Sequence, residues 1–535
     1  FNGCTSLRDF KIPTHVYEIP DNTFSGCIML QDMEIPDNIQ RVGVSAFENC
    51  TSLTKVDLTT QLNLNIIEKE AWRGCTGVTE VTIVAPNLRG IDANAFSECT
   101  SLKTAAITSE CPDGLSLGGG VFGACTALKD CTFNATFSLD DKDFFGESTF
   151  EDCISLVNVN FAEGLATLPE RTFYNCTSLK WDSEKFLPST IRTIGPEAFG
   201  KCTFDKVDIP DRIQVIDEAA FSGCAKLTDF TTTTSLRLIG NGAFSGCTSL
   251  VNIPLYDGLE TINDSAFANC TSLVNISVPD TVVYMGNSVF SGCSALKNVK
   301  LTNKLEAATT NMFKKCTSLE SIDLSNTRVT SIKSNAFDGC TALKEVKWPK
   351  DISSIDNYAF RGCTALTEIT FPRSLLTLSR NVFDGCTSLT ECNLNEGLEV
   401  IGVQAFKNCT ALRTLFLPTT ATTIGNVAFY GCKGLDDIII PKSVASIGTR
   451  IFRNVTDAIT VYCEETAPIR NYAFDSNNVI EFKSEILVPD TVEGLIFDAD
   501  LYSSNYPSIA ECFNNNEGYL FLHWKNFGIY DDNLT

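Results

Sequence analysis

The chain has 535 residues, 44% of them hydrophobic, and its 65 acidic side chains outnumber the 41 basic ones to give a net charge of −24. The apolar content argues against wholesale disorder, and the charge argues against DNA, RNA and anionic lipid as partners, because those ligands need clustered Lys and Arg. No apolar run approaches the length that spans a bilayer, and the acidity suits cationic partners or loosely held calcium.

An aromatic residue recurs along the chain at a nearly fixed spacing, three positions before a cysteine that Thr-Ser-Leu or a close variant follows. Twelve of its nineteen spacings are 23 residues, and the others lie between 22 and 28. A fixed period of this size predicts a solenoid, in which each unit buries its apolar face against its neighbours. The recurring aromatics are Phe1, Phe24, Phe47, Trp72, Phe96, Phe122, Phe150, Phe173, Phe199, Phe221, Phe244, Phe267, Phe290, Phe313, Phe337, Phe360, Phe383, Phe406, Phe429 and Phe452.

Each repeat carries two short apolar segments. The first lies six to eight residues after the cysteine, as at 346–348, where alternation with period two predicts a strand that Pro349 then ends. The second ends five residues before the aromatic, as at Ile401, and a turn of small residues follows it. Gly or Asn directly before most of the cysteines predicts a corner with positive φ. Stacked copies are expected to pair like with like in parallel sheets.

The consensus AFxGCTSLxxVxLPxxLxxIG, which covers residues 1–455, resembles the BspA-like leucine-rich repeat family and its 23-residue repeats. The resemblance implies a β-rich leucine-rich repeat solenoid, a right-handed superhelix with parallel β-sheets and about 20 turns. It also implies a scaffold linked to adhesion or recognition, without a shared active site. We therefore expect no catalytic residue, no cofactor and no metal.

The repeat pattern divides the chain into three predicted parts. Residues 1–455 form the solenoid, and because the sequence opens inside a repeat we expect its N-terminal cap to be missing. Residues 456–489 are predicted to be degenerate terminal repeats, since Val455 stands where the cysteine should be. Residues 490–535 are rich in aromatics and are predicted either to cap the last turn or to serve as a docking tail.

Two places depart from the repeat. The aromatic spacing stretches to 26 and 28 within 102–150, and after Cys202 the strand comes one residue early. Solenoids often place their specificity at such irregularities. Within the stretch, Gly118-Gly119-Gly120 is predicted to be a flexible insertion rather than a phosphate loop. The acidic run 140–143 is predicted to be a solvated loop rather than a calcium site.

Nineteen of the 24 cysteines occupy the repeat position. We favour a ladder of buried free thiols over a disulfide scaffold or a metal site, because the predicted core is ample and the spacing fits no zinc motif. Cys131 and Cys392 fall at inward strand positions and are predicted core residues. Cys463 and Cys512 lie outside the ladder, and a disulfide between them remains an open alternative.

Nine N-glycosylation sequons favour a glycosylated protein that is extracellular or at the cell surface. Four of them arise automatically where Asn replaces Gly before the fixed Cys-Thr, so the prediction also depends on the family resemblance. The sequons begin at Asn49, Asn134, Asn175, Asn263, Asn269, Asn275, Asn408, Asn454 and Asn533.

The outward positions of the first strand vary from copy to copy, which argues against a ligand with a regular lattice. Phe416 and Ile439 fall at such positions on neighbouring turns. They are predicted to be exposed and to form an apolar contact patch.

These observations predict a non-enzymatic adhesion or recognition scaffold, extracellular or at the cell surface, that binds protein or glycan partners through the solenoid surface. The alternative is a structural subunit of an extracellular filament, coat or larger assembly, which self-assembles through the solenoid ends or the aromatic tail. Neither reading involves nucleic acid or direct insertion of this segment into a membrane.

Overall fold

The computed structural model describes residues 1–137, 145–161, 165–181, 187–455, 458–463, 465–471, 479–483, 491–492, 495–496 and 520. The chain divides into two compact units, Phe1–Leu273 and Val274–Thr535. The predicted β-solenoid is confirmed: the units together contain about 19 turns of parallel strands and almost no helix. A 3₁₀ helix spans Pro468–Asn471.

In the first unit, most turns contribute a strand of three to five residues to a first sheet and a strand of two residues to a second sheet. The strands of the first sheet are β3 (Lys55–Leu58), β5 (Glu80–Val84), β7 (Thr104–Thr108), β9 (Asp130–Asn134), β10 (Asn158–Asn160), β13 (Lys206–Asp208) and β15 (Asp229–Thr231). The strands of the second sheet are β1 (Glu18–Ile19), β2 (Arg41–Val42), β4 (Ile66–Ile67), β6 (Gly90–Ile91), β8 (Ser116–Leu117), β11 (Thr167–Leu168), β12 (Thr193–Ile194), β14 (Val215–Ile216), β16 (Leu238–Ile239) and β17 (Thr261–Ile262).

The second unit repeats this arrangement. Its first-sheet strands are β18 (Asn275–Ser277), β20 (Asn298–Lys300), β22 (Ser321–Asp323), β24 (Glu345–Lys347), β26 (Glu368–Thr370), β28 (Glu391–Asn393), β30 (Thr414–Phe416), β32 (Asp437–Ile439), β34 (Ala458–Tyr462) and β35 (Val479–Lys483). Its second-sheet strands are β19 (Tyr284–Met285), β21 (Ala307–Ala308), β23 (Ser331–Ile332), β25 (Ser354–Ile355), β27 (Thr377–Leu378), β29 (Val400–Ile401), β31 (Thr423–Ile424) and β33 (Ser446–Ile447). An antiparallel pair, β36 (Thr491–Val492) and β37 (Leu495–Ile496), follows.

Equivalent residues of successive turns pair in parallel register, as Ile332 does with Ile355 and Val346 with Ile322. The inward residue of most short strands is buried, while its neighbour faces away, because successive side chains of a strand alternate between faces. The core of each unit therefore consists of columns of like residues, which is what a repeat with constant period requires.

The aromatic column is confirmed in both units. Ring centroids of successive members lie 5.2–5.7 Å apart from Phe24 to Phe267, with interplanar angles of 19° or less. From Phe290 to Phe452 the distances are 5.1–5.8 Å, with the same limit on the angle. Near-parallel rings stacked in file fill the turns with large apolar surfaces.

The corner before the cysteine has the predicted positive φ in every repeat, from 57° at Ala124 to 79° at Gly385. Glu98 and Lys201 adopt it as well, at 61° and 60°. A second left-handed position, four residues earlier, was not predicted from the sequence. Its occupants include Val427 at 49°, for which this backbone is costly.

Candidate binding cleft

The cysteine column is structural, and its geometry explains why the repeat uses a thiol. In most turns the Sγ–H donates to the carbonyl oxygen of the aromatic residue one turn earlier, at 3.1 Å from Cys50 to Phe24 and from Cys386 to Phe360. The backbone N–H of a cysteine in the acceptor's own turn donates to the same carbonyl, as Cys27 does to Phe24. The sequence predicted the burial of these thiols but not this hydrogen bond.

Burial also removes the nucleophilic character of these thiols. It raises the pKa of Cys386 and of Cys432 to about 12, because the thiolate would lose its hydration. The thiolate is the reactive form of cysteine, so these buried thiols are not nucleophiles at neutral pH. Cys4, the first cysteine of the ladder, is exposed. Cys131 and Cys392 are buried as predicted.

The prediction that Phe416 and Ile439 form an exposed contact patch is wrong. The two residues pair in register on β30 and β32, but they are only 5% and 2% exposed. Their counterparts Lys347 and Thr370 are exposed. An outward side chain is buried only when another part of the chain covers it, and the alternation of a strand shows which face a residue occupies, not what lies over that face.

The sequons differ in accessibility. Asn49, Asn134, Asn269, Asn275 and Asn454 are exposed, and Asn175, Asn263 and Asn408 are half-buried. Three of them use the amide nitrogen, the atom that would carry a glycan, as a hydrogen-bond donor: to Asp152 from Asn175, to Asp384 from Asn408 and to Tyr430 from Asn454. Asn533 lies outside the described residues. Glycosylation stays a prediction.

Several other predictions fall on residues that are not described. They concern the acidic run 140–143, the partner of Cys463 at Cys512, and nearly all of the tail 490–535. Cys463 itself is buried. Within the described ranges, no group of three or more His, Cys, Asp or Glu side chains is placed to hold a metal ion, and no helix is long and apolar enough to cross a membrane.

A cleft of about 770 Å³ opens in the first unit, at the irregular turns. It lies where the second sheet is divided, since β8 and β11 belong to separate sheets. The Gly118–Gly120 triplet lines it, and Gly118 packs so closely on the turn before it that a Cβ there would lie 2.2 Å from the Ala93 nitrogen. The lining residues are Ala93, Asn94, Leu117, Gly118, Gly119, Gly120, Phe145, Gly146, Glu147, Ser148, Leu165, Ala166, Thr167 and Pro169.

Pro169 supplies a physical reason for the opening. In regular turns the residue after the second strand is often a glycine whose N–H donates to the strand one turn earlier, as Gly402 does to Leu378 at 2.8 Å and Gly425 to Ile401 at 2.7 Å. Pro169 occupies this place in the turn of β11. Because proline has no N–H, the bond that would join Pro169 to Phe145 cannot form. The next bond between the two turns is the one from the Ser148 N–H to the Glu170 carbonyl oxygen, at 2.9 Å.

The cleft carries one negative charge that the protein does not neutralise. Glu147 is exposed at the cleft, and its carboxylate makes no hydrogen bond or ion pair with the described residues. Arg171 is already engaged, because it donates to both Glu151 and Glu197 and lies 3.8 Å from the Tyr174 ring centroid. The hydrogen bond from Arg171 lowers the pKa of Glu151.

The lining residues suit binding rather than catalysis. Asn94, Ser148 and Thr167 add polar side chains, while Ala166 and Pro169 add accessible apolar surface. No His, Cys or Lys is among the described lining residues. The spacing of the aromatics identified the stretched repeats as irregular but did not predict a cleft there.

Comparison with known proteins agrees with the architecture. The chain matches the BspA type leucine-rich repeat region in seven overlapping stretches, namely 1–129, 112–228, 182–296, 214–342, 260–390, 330–459 and 377–495. It therefore belongs to the family of BspA-type leucine-rich repeat proteins. The family and the fold are those of repeat scaffolds. A search of curated proteins finds no match.

Solved structures with the same kind of repeat include a leucine-rich repeat protein from Bacteroides ovatus, at 24% identity and a TM-score of 0.52, over 79% of this chain and 88% of that one. A leucine-rich cell surface protein from Faecalibacterium prausnitzii aligns at 20% identity and a TM-score of 0.33, over 76% and 88% of the two chains. A leucine-rich repeat protein from T. pallidum aligns at 34% identity and a TM-score of 0.29, over 31% and 79%.

Proposed function

We propose that this chain is a non-enzymatic recognition scaffold, extracellular or at the cell surface, that binds a protein or glycan partner with the cleft as a point of contact. The observation that carries the proposal is the coincidence of the cleft with the irregular turns. At these turns about 770 Å³ is open and polar groups converge on it. Concave sites of mixed polarity are where proteins most often bind ligands.

Two further observations support a location outside the cell or at its surface. The resemblance to the BspA-like family implies a scaffold linked to adhesion or recognition, and five sequons lie at exposed asparagines. Thiols sealed in the core are protected from disulfide exchange, because exchange needs an accessible thiolate. The buried free cysteines are therefore compatible with an oxidising environment.

A steric block tests the role of the cleft. Thr167 is exposed on the outward face of β11 and lines the cleft, so Thr167→Arg fills it without disturbing the core. Thr261 occupies the same position on β17 outside the cleft lining, and Thr261→Arg is the matched control. We expect the unmodified chain and the control to bind the same members of a panel of immobilised matrix proteins and polysaccharides. Thr167→Arg should bind them at least about tenfold more weakly, a loss typical of an important contact residue.

Equal binding by Thr167→Arg and the control would contradict a role of the cleft in partner binding. Failure of the unmodified chain to bind any panel member would contradict recognition itself. Light scattering over a dilution series addresses the alternative, because a structural subunit would assemble with increasing concentration while a recognition module would stay monomeric.

A further inference from the structure

We infer that the cleft accepts a basic side chain, Lys or Arg, presented by a partner protein. This inference rests on the proposed function and narrows it to a protein partner with an exposed cation. The structural basis is the juxtaposition of Glu147, a carboxylate without a partner among the described residues, with a cavity whose other described walls are uncharged.

The first step concerns charge. Arg171 is already paired with Glu151 and Glu197. Glu147 lies only four residues from Glu151, yet it takes no part in that network. The cation that would neutralise Glu147 is thus absent from the described residues, and a partner can supply it.

The second step concerns shape. Beside Glu147 the cleft offers apolar surface from Ala166 and Pro169, with Phe145 only 6% exposed behind them. Lys and Arg have an apolar stem that packs on such surface and a charged head that seeks a carboxylate. Hydroxyl and amide groups of Ser148, Thr167 and Asn94 supply further acceptors for the N–H donors of an ammonium or guanidinium group.

The third step concerns approach. The net charge of −24 creates a field that attracts basic partners and repels acidic ones. Complementary charge raises association rates more than it raises affinity. The cleft would then provide the local contact, since a carboxylate in a partly enclosed site forms a stronger pair with a cation than it forms on an open surface.

The experiment uses a minimal probe. Acetyl-arginine amide and acetyl-citrulline amide have nearly the same shape, but only the arginine compound is charged. Saturation-transfer difference NMR with the full chain should show binding of acetyl-arginine amide, with the citrulline compound at least about tenfold weaker, as expected for loss of one charge-assisted hydrogen bond.

Substitution of Glu147 assigns the binding to the cleft. Glu147→Gln should weaken binding of acetyl-arginine amide about tenfold and leave the fold intact, because the carboxylate supports no contact in the protein. Glu218 is exposed at the equivalent position of a turn outside the cleft lining, and Glu218→Gln should bind the amide as the unmodified chain does.

Three results would overturn the inference: no binding of acetyl-arginine amide, equal binding of the citrulline compound, or equal binding by Glu147→Gln. None of them would by itself overturn the proposed function. If Thr167→Arg still abolishes binding to the panel while the arginine probe fails, the cleft recognises a partner of another chemistry. If the probe binds but no panel member does, the recognition function fails and a guanidinium-selective cleft remains.

Discussion

The regular turns at 290–452 and the irregular turns at 122–199 place similar residues in different situations. In the regular stretch the aromatic spacing is 23 or 24, and seven second-sheet strands, β21 to β33, pair without a break. In the irregular stretch the spacing is 28, 23 and 26, the second sheet is divided, and the cleft opens. A departure from the constant period thus coincides with an open surface that a partner can reach.

Ion pairs of the side chains near the aromatics illustrate the difference between the regular and the irregular stretch. In the regular stretch they alternate in charge along the column Lys314, Asp338, Arg361, Asp384 and Lys407. Arg361 donates to both carboxylate oxygens of Asp338 at 2.8 and 2.7 Å, and Lys407 lies 3.1 Å from Asp384. In the irregular stretch the residue directly after Phe150 is Glu151, which pairs with Arg171. Glu147, four residues earlier, faces the cleft without an ion-pair partner among the described residues.

The largest expected effect tests what the two stretches share, their column of buried thiols. Burial raises the pKa of Cys176 in the irregular stretch, and it raises those of Cys386 and Cys432 in the regular one to about 12, from a usual value of 9.0. The folded state thus keeps protons that the unfolded state releases. Stability is fully present below pH 9 and falls as pH rises toward 12, by about 1 kcal/mol per buried thiol for each pH unit.

Thiol labelling with mass spectrometry over pH 8 to 12 checks this alkaline unfolding. Cysteines of both stretches should become reactive in the same pH range. The double variant Cys386→Ser and Cys432→Ser, which removes two of the titrating groups, should show a shallower dependence of stability on pH. Labelling of Cys176 well below the pH at which Cys386 reacts would mean that the core is not closed in the irregular stretch.

A smaller effect separates the two stretches. Asp338→Asn removes a carboxylate whose side chain is 7% exposed and leaves Arg361 and Lys314 without their common partner. We expect a loss of about 2 kcal/mol in the free energy of unfolding, measured by urea denaturation, because a buried charge pair is broken. Glu147→Gln should change it by less than about 0.5 kcal/mol, as expected for an exposed group without contacts. Equal losses in the free energy of unfolding from Asp338→Asn and Glu147→Gln would contradict the view that only Asp338 is held in a buried ion pair.

The smallest effect concerns the second left-handed corner. Val427 has a φ of 49°, a conformation that β-branched residues disfavour, and Asn335 occupies the equivalent position at 57°. Val427→Asn should therefore raise the free energy of unfolding by about 1 kcal/mol. Gly385→Ala, at a φ of 79°, should lower it by a similar amount. A destabilised Val427→Asn variant would show that packing of the valine outweighs its backbone strain.

Much of the fold could be predicted from the sequence because the period is itself structural information. The spacing of the aromatics and the Gly or Asn before the cysteines predicted the ring column and the left-handed corner. The second corner was missed because Val427, Tyr358 and the other residues there share no composition that marks a positive φ. The burial of Phe416 and Ile439 was missed because it depends on parts of the chain that the period does not specify.

The candidate site was only partly predictable. The stretched spacing at 102–150 indicated the correct region, but the cleft depends on the absence of one backbone N–H at Pro169, whose role becomes clear only when the turns are aligned in three dimensions. The isolation of Glu147 likewise depends on which carboxylates Arg171 reaches.

Hydrogen–deuterium exchange with a bound partner tests whether the chain binds its partner through the cleft. The chain would be compared alone and in complex with the matrix protein or polysaccharide that it binds most tightly in the panel. The account predicts that protection appears first at the amides of the cleft lining, around Gly119, Glu147 and Thr167, while the outward strands at 290–452 exchange as before. Protection confined to 290–452, with the cleft lining unchanged, would contradict it.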